Sequence, residues 1–392
     1  MAKPHWQLAL DSVYPGLETL EQIKQQKKLR VYTGVDLTGP TVHIGHASTL
    51  RVLRRFQDEG HQVIFLFGDF TAMVGDPTGR DKQRPVLTQE EIDQNKESYL
   101  EQLAKVLDMK TLEVRSNSEW YADPDRAGAL IKFLPIARQV TAAQLWERDM
   151  FQERQAKGQP VTLSEFIYPV LQAYDSIELD VDLEIGATDQ TFNMLAGRDL
   201  VKKMTGKDKL VLTTKILRGT DGRKMSKSYN NYIGVTDTAD QMFGKLMSVR
   251  DELLPEYFAL AAGIDPDQPD IKELISNNPR LAKARMAAEV VAFYHGAGQA
   301  EAAQRQFDAQ FKDGVKPANI PIKRPTSLEN QKIVDLIVDL DLASSKSEAA
   351  RLIVQGGVKV DNLVIEDQFG VVTPVKDMVI QVGKRRFVKI DA

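Results

Sequence analysis

The chain has 392 residues, of which 42% are hydrophobic and 27% charged, with a formal net charge of -4. That length and balance suit a globular protein of two or three domains, and the slight acid excess means that any polyanion must find local basic patches. Cysteine is absent, which excludes a disulfide framework and thiolate zinc sites and fits a reducing cytoplasm. The first thirty residues carry no apolar core of signal-peptide length. No stretch approaches the ~20 apolar residues of a membrane span, so no membrane partner is expected.

In chain order, Glu18–Lys28 reads as a polar helix leading into a β-prone apolar strand, Leu29–Tyr32, that stops at Gly34. A glycine-rich turn follows, and then the helical pattern Leu50, Val52, Leu53, Phe56. Gln62–Phe67 is a second buried strand and ends at the loop Gly75–Pro85. Thr88–Leu107 has helical spacing, a cap at Thr88 and acids at Glu90 and Glu91. Leu112–Arg115 is a short strand before the turn Ser116–Trp120, and Arg126–Phe151 is mostly helical. Ser164–Ile177 is a helix with Pro169 early in it; Asp180–Ile185 is a strand, Thr188–Met204 a helix and Leu210–Ile216 a strand before the loop Arg218–Asn230. This alternation predicts an α/β fold, a doubly wound parallel sheet whose ligands bind at the carboxyl ends of the strands. From Asp237 to about Phe311 the pattern is purely helical, and Pro317, Pro321 and Pro325 stiffen a linker. Ser327–Ala392 reads as a small α+β unit: two short helices, then strands at Val358–Val360, Val371–Thr373 and Met378–Val388. There is no internal repeat and no low-complexity tract.

Three stretches carry chemistry. In the first, Tyr32–Leu50, a strand feeds a helix through a turn, which offers free backbone N–H groups and a positive dipole end to a phosphate. Gly45 has no side chain to hold that phosphate away, and His43 and His46 lie three apart, pointing the same way on a helical turn. Alone, a His-x-x-His pair is more often accidental, and equally suits half of a histidine–carboxylate zinc site. The second is Lys224–Ser228, KMSKS, in the loop after the last strand. Alone, such a loop is normally a solvated surface. The third is the helix bearing Tyr168, Gln172 and Asp175 at i, i+4 and i+7, a polar face amid Phe166, Ile167, Val170 and Leu171. Such a stripe either faces a ligand or is the solvent side of an ordinary amphipathic helix.

The pair His43–His46 (HIGH) and KMSKS, on opposite flanks of a doubly wound domain, resembles the two ATP-binding motifs of class I aminoacyl-tRNA synthetases. Within that class the full length is similar to the tyrosyl-tRNA synthetase family. The likeness rests on Tyr32–His46, on GDPTG at Gly75–Gly79, on YPVLQAYD at Tyr168–Asp175 and on GATDQ at Gly186–Gln190. Ser345–Asp361, SKSEAARLIVQGGVKVD, resembles an alpha-L RNA-binding domain. Two departures stand out: KMSKS and Glu184 occupy places where much of the better-known bacterial branch has K-F-G-K-T and glutamine, and Ala187 replaces a frequent glycine.

The resemblance implies a Rossmann-like catalytic domain over 1–232 with a helical insertion, a helical anticodon-side domain over 233–312, a linker over 313–326 and an RNA-binding domain over 327–392. It implies tyrosine–tRNA ligation, with ATP, Mg²⁺ arriving with ATP, L-tyrosine and tRNA(Tyr) as partners, and a homodimer whose best candidate interface is Arg126–Gln144. Activation joins an already ionised carboxylate to the α-phosphate, so it needs positioning and electrostatic stabilisation, not a nucleophile or general base. By resemblance, Thr38, His43 and His46 contact the phosphates, Lys224 and Lys227 close over pyrophosphate, and Arg80 and Arg84 add cations. Asp36, Gly45 and Asp189 complete the ATP set, Asp189 on the ribose. Tyr32 and Asp175 meet the substrate phenol, while Asp76, Tyr168 and Gln172 hold its ammonium group, with Gln190 in the same pocket. No dedicated metal cage is visible.

From Ser327 onward there are 9 Lys and Arg against 10 Asp and Glu. Their placement matters more than their sum: Lys384, Arg385, Arg386 and Lys389 surround Phe387, and Lys346 and Arg351 mark the helix before GGVKV. A cationic surface with an aromatic suits looped RNA, although a solvated terminal strand fits the charges equally well. Two other readings remain at this level: a tryptophanyl-tRNA synthetase, and an RNA-binding scaffold that has lost activity.

Overall fold

The computed structural model describes residues 3–37, 39–76, 88–122, 133–226, 229–312, 320–361, 363–383 and 386–391. Thr38, Arg80, Arg84, Lys227, Lys384 and Arg385 lie outside the described residues, as do 126–132 of the candidate dimer face. Contacts divide the chain into two units, Met1–Glu301 and Ala302–Ala392.

The first unit is built on six strands: β1 (Leu10–Tyr14), β2 (Arg30–Asp36), β3 (Gln62–Gly68), β4 (Leu112–Ser116), β5 (Leu183–Ala187) and β6 (Leu210–Thr214). They lie in the order β1-β6-β5-β2-β3-β4, all parallel except β1, which runs antiparallel to β6 at one edge. The centre of the sheet is buried on both faces. Val63, Ile64, Phe65 and Phe67 of β3 are fully buried, which is why that strand reads as an unbroken apolar run.

The first sheet differs from the sequence-based expectation at two strands. β2 does not stop at Gly34: its pairing with β3 continues to Asp36↔Gly68, and the glycine sits against Leu66 and Tyr32 without steric conflict. The edge strand β1, LDSVY, has no β signal in the sequence. Only half-buried, it lacks the apolar run of the inner strands, and an antiparallel edge on a parallel sheet is common.

The chain leaves β2 for β3 and β4 on one side and returns to β5 and β6 on the other. The direction of winding therefore reverses between β2 and β5, where the carboxyl ends of a doubly wound sheet open a crevice. Helices Ile44–Asp58, Leu163–Glu178 and Thr191–Thr205 bring their N-terminal or inward-facing residues to this point. Pro169 stands inside the Leu163–Glu178 helix without ending it. Gln89–Leu103 begins at Thr88 with a reciprocal Thr88–Glu91 cap, as its sequence predicts. Beyond Asp237 the described residues of this unit are helical or in turns, with Ala239–Met247, Pro269–Asn277 and Pro279–His295 as the main helices, and Ala297–Lys312 follows them.

The second unit packs two helices, Ile333–Asp339 and Lys346–Val354, on a small sheet around Ile333, Leu336, Ile337, Ile353, Val358, Ile380 and Val388. With β7 (Ile322–Lys323), β8 (Gln331–Lys332), β9 (Val358–Val360), β10 (Leu363–Val364), β11 (Val371–Val372), β12 (Val379–Val382) and β13 (Arg386–Ile390), the strand order is β10-β9-β12-β13-β7, and β11 pairs with β8. The stretch expected as one strand from Met378 to Val388 is a hairpin: Gly383, at φ +67, lies where β12 turns back toward β13.

Candidate active site

The helix Ile44–Asp58 starts with a cap made of histidines. His43 Nδ1 accepts the His46 backbone N–H at 3.3 Å, and His46 Nδ1 accepts that of His43 at 3.5 Å. The rings stack with centroids 3.6 Å apart. With both Nδ1 atoms accepting, each ring carries its proton on Nε2 and is a neutral donor. Burial and the nearby Lys224 ammonium hold His46 down to about 4, and burial together with His46 pushes His43 well below the usual value. Gly45 leaves room for this stack: a Cβ there would stand 3.0 Å from His43 Nδ1, so the ring would have to shift by a few tenths of an ångström.

The segment after KMSKS folds onto this cap. Ile44 N–H donates to Ile233 O at 2.9 Å, Val235 N–H donates to Val42 O at 3.1 Å, and His43 bridges Gly234 in an antiparallel step. Lys224 Nζ pairs with Asp189 Oδ2 at 3.0 Å, Asp189 lying in the turn after β5. HIGH, Lys224 and Asp189 thus converge at one place. Asn231 holds the loop by accepting from Ser226 N–H at 2.8 Å and donating to Lys224 O at 3.1 Å.

Beside it lies the second cluster. The helical stripe faces inward: Tyr168 donates to Asp36 Oδ2 at 3.0 Å, Gln172 Nε2 donates to Glu184 Oε1 at 3.2 Å, and Asp175 accepts from Trp120 Nε1 at 3.0 Å and Asn117 Nδ2 at 3.4 Å. It is therefore not a solvent stripe. Asp175 is 4% exposed, and burial raises its carboxyl well above the ordinary range, which makes its ionised form a strong hydrogen-bond acceptor. Tyr32 is 1% exposed, and burial followed by the carboxylates of Glu184 and Asp175 pushes its phenol well up. Gln190 donates to Asp76 Oδ2 at 2.9 Å, and Asn193 in turn donates to Gln190 Oε1 at 3.0 Å. Because Gln172 Nε2 is spent on a carboxylate, its Oε1 is fixed as an acceptor; that atom is buried and has no hydrogen-bond partner among the described residues.

Of the residues read from sequence, Asp36, Tyr168, Gln172, Asp175, Tyr32, Asp76 and Gln190 fall in this second cluster, and His43, His46, Gly45, Asp189 and Lys224 in the first. The sequence reading missed Ser176, Lys209, Trp120 and Asn117. Lys209 carried no signal, because KDK reads as a surface turn. Its amine is nevertheless fully buried against Glu184, which explains a carboxylate at that position. In the second unit, Lys346 pairs with Asp335 at 2.7 Å and Arg386 donates to Leu342 O at 2.6 Å, while Arg351 is exposed. Among the described residues no three side chains converge to hold a metal ion, and no helix is long and apolar enough to cross a membrane.

A doubly wound parallel sheet with these two motifs at its switch point is the catalytic frame of a class I synthetase. The sequence model of the class I tRNA synthetases for tryptophan and tyrosine (W and Y) matches residues 24–312, and that of the S4 domain matches residues 331–368. The chain is 44% identical to a tyrosine–tRNA ligase of Thermotoga maritima, over 95% of this chain and 93% of that one. It is 43% identical to one of Shewanella oneidensis, over 97% and 96%. The fold is shared with a tyrosyl-tRNA synthetase of Archaeoglobus fulgidus solved with L-tyrosine, at a TM-score of 0.59 and 22% identity over 76% of this chain and 98% of that one. It is also shared with a Plasmodium falciparum tryptophanyl-tRNA synthetase, at 0.54 and 16% over 74% and 80%. The chain therefore belongs to the class I tRNA synthetases and, within them, to the tyrosine–tRNA ligases. Fold alone does not separate tyrosine from tryptophan enzymes; the sequence relatives do.

Proposed function

We propose that the chain joins L-tyrosine to tRNA(Tyr) in two steps, through the residues of these two clusters. In the first step, the tyrosine carboxylate forms a bond to the α-phosphorus of ATP, the bond to pyrophosphate breaks, and tyrosyl-adenylate remains. In the second, a ribose hydroxyl at the tRNA 3′ end attacks the acyl carbon and AMP leaves. The buried donor–acceptor pair Tyr32 and Asp175 beside the histidine cap is the observation that carries this reading. A ring hydroxyl both donates and accepts there, whereas a bare phenyl ring would bury the same two polar groups and give neither a hydrogen bond in exchange for the water it displaces. Tyrosine-activating synthetases are themselves the known example of such discrimination.

Gln172 Oε1, with Asp76 and Tyr168, takes the substrate ammonium. His43 and His46, as neutral Nε2–H donors, and Thr38 stabilise charge on the phosphates. Lys224 and Lys227 meet pyrophosphate with Arg80 and Arg84, and Asp36, Gly45 and Asp189 frame the nucleotide, Asp189 on the ribose. Mg²⁺ would arrive with ATP and offset part of its phosphate charge, held by no dedicated side-chain cage among the described residues. Residues 1–232 form the catalytic domain, 233–312 the anticodon-side helices and 327–392 the RNA-binding domain, whose contacts include Lys346, Arg351, Lys384, Arg385 and Arg386; 313–326 connects them, although its Ile322–Lys323 stretch is no free linker but strand β7, paired with β13. The working form is a homodimer in the cytoplasm, where ATP and tRNA are present. Charging of tRNA(Tyr) with labelled tyrosine tests the reading; failure to charge that tRNA, with tRNA(Trp) charged with tryptophan instead, would refute it.

A further inference from the structure

A fully buried lysine sits under the amino-acid pocket. Lys209 precedes β6, and its amine donates to Glu184 Oε2 and, at 2.8 Å, to Ser176 Oγ. Room for it is made by Gly197 on the neighbouring helix, where a Cβ would stand 2.7 Å from Nζ. Glu184 and Tyr32 are cross-strand partners on β5 and β2, so their side chains share the sheet face that meets the Leu163–Glu178 helix. Ser176, one residue past Asp175 on that helix, lies 2.9 Å from the Tyr32 hydroxyl.

The hydrogens can be counted. An ammonium only donates, so Ser176 Oγ accepts from Lys209 and has one hydrogen of its own to place. Two acceptors lie within its reach: the Tyr32 oxygen at 2.9 Å, and Glu184 Oε2, which also takes Lys209, at 3.4 Å. The shorter contact favours the serine hydrogen on the Tyr32 oxygen, which leaves the Tyr32 hydrogen for Glu184 or for a ring hydroxyl on the pocket side. We propose that Lys209 is a positioning residue for substrate selection: through Ser176 it turns the Tyr32 hydroxyl into a donor aimed at the ring hydroxyl of the amino acid. The relay runs from Lys209 to Ser176 to Tyr32 to the substrate hydroxyl, whose own hydrogen goes to Asp175. Each link polarises the next. The raised phenol of Tyr32 keeps that hydrogen in place at working pH.

The inference rests on the proposed function and deepens it. Its test is the ratio of kcat/KM for tyrosine to that for phenylalanine in pyrophosphate exchange, measured for Ser176→Ala, Ser176→Thr and the double variant Lys209→Met/Glu184→Gln. The double change removes both charges together, so no lone buried charge remains. Ser176→Ala and the double variant are expected to lower the ratio about tenfold, mainly through KM for tyrosine, while Ser176→Thr, which keeps the hydroxyl, restores it. A residue that merely balances charge in the core would move the thermal midpoint and leave the ratio alone. Wild-type discrimination in Ser176→Ala overturns the relay. Wild-type discrimination in the double variant, beside a defective Ser176→Ala, overturns the part of Lys209. Ser176→Ala touches neither charge and carries the test alone if the double variant does not fold. Absence of tyrosine-dependent exchange in the unaltered protein is a separate outcome that removes the functional reading and this inference together.

Discussion

Lys224 Nζ stands 3.0 Å from Asp189 Oδ2, which ties the KMSKS loop after β6 to the turn after β5. The lysine is 58% exposed and the aspartate 27%, so this pair contributes little to stability. Its consequence is positional: the cation is held at the edge of the histidine cap, where the proposed function puts the ATP phosphates. Lys224→Ala is therefore expected to leave the thermal midpoint and KM for tyrosine nearly unchanged while lowering kcat of pyrophosphate exchange about 10²–10³-fold, the usual loss for one transition-state donor. Steady-state exchange kinetics beside a melting curve check both halves.

The histidine cap gives a pH prediction. Burial holds His46 and His5 at about 4, and it also lowers His43, His61 and His295. In the unfolded chain these groups titrate near 6.5. The stability they contribute is thus complete above pH 6.5 and is lost as pH falls through 6.5 toward about 4, because the unfolded state takes up protons first. Melting across that window should show a steady fall. Because kcat/KM for ATP reports the free enzyme, its pH profile should show no histidine ionisation near 6.5.

Asp175 gives the opposite sign. Burial raises its carboxyl, so the native state binds that proton more tightly than the unfolded chain, and stability falls as pH rises from the unfolded value to the native one. In Asp175→Asn that pH dependence is expected to disappear, at a cost in stability of about 1–3 kcal/mol, because the amide NH2 would face one of the two buried N–H donors, Trp120 or Asn117. The same variant replaces a carboxyl oxygen by an amide NH2 and so loses an acceptor for the substrate phenol, and KM for tyrosine should rise about 10–100-fold. Calorimetry and tyrosine titration read the two effects on one sample.

On the second unit, Arg351 is exposed on the Lys346–Val354 helix, whereas Arg386 is held by Leu342 O and Glu348. Arg351→Glu should raise KM for tRNA and lower the salt slope of tRNA binding by about one counterion, with tyrosine-dependent exchange untouched. Filter binding at several salt concentrations measures the slope.

Much of this was legible in the residues because the physics is local. The inner strands announce themselves as apolar runs, the Thr88 cap carries its own signature, and the i, i+4, i+7 spacing of Tyr168, Gln172 and Asp175 holds because Pro169 is accommodated within the helix. What escaped is what pairing decides. β1 is a strand through its alignment with β6 and has no apolar run of its own. The β12–β13 hairpin hides in a continuous β-prone stretch whose only mark is Gly383. Lys209 reads as solvent-facing until Glu184, three-dimensionally adjacent and 25 residues away, is seen to need it.

The most direct test of the whole account is pyrophosphate exchange by the full-length protein against each amino acid in turn. Exchange should be driven by tyrosine and only weakly by phenylalanine, and be abolished or nearly so by Lys224→Ala. Exchange driven equally well by phenylalanine, or by tryptophan in place of tyrosine, would contradict it.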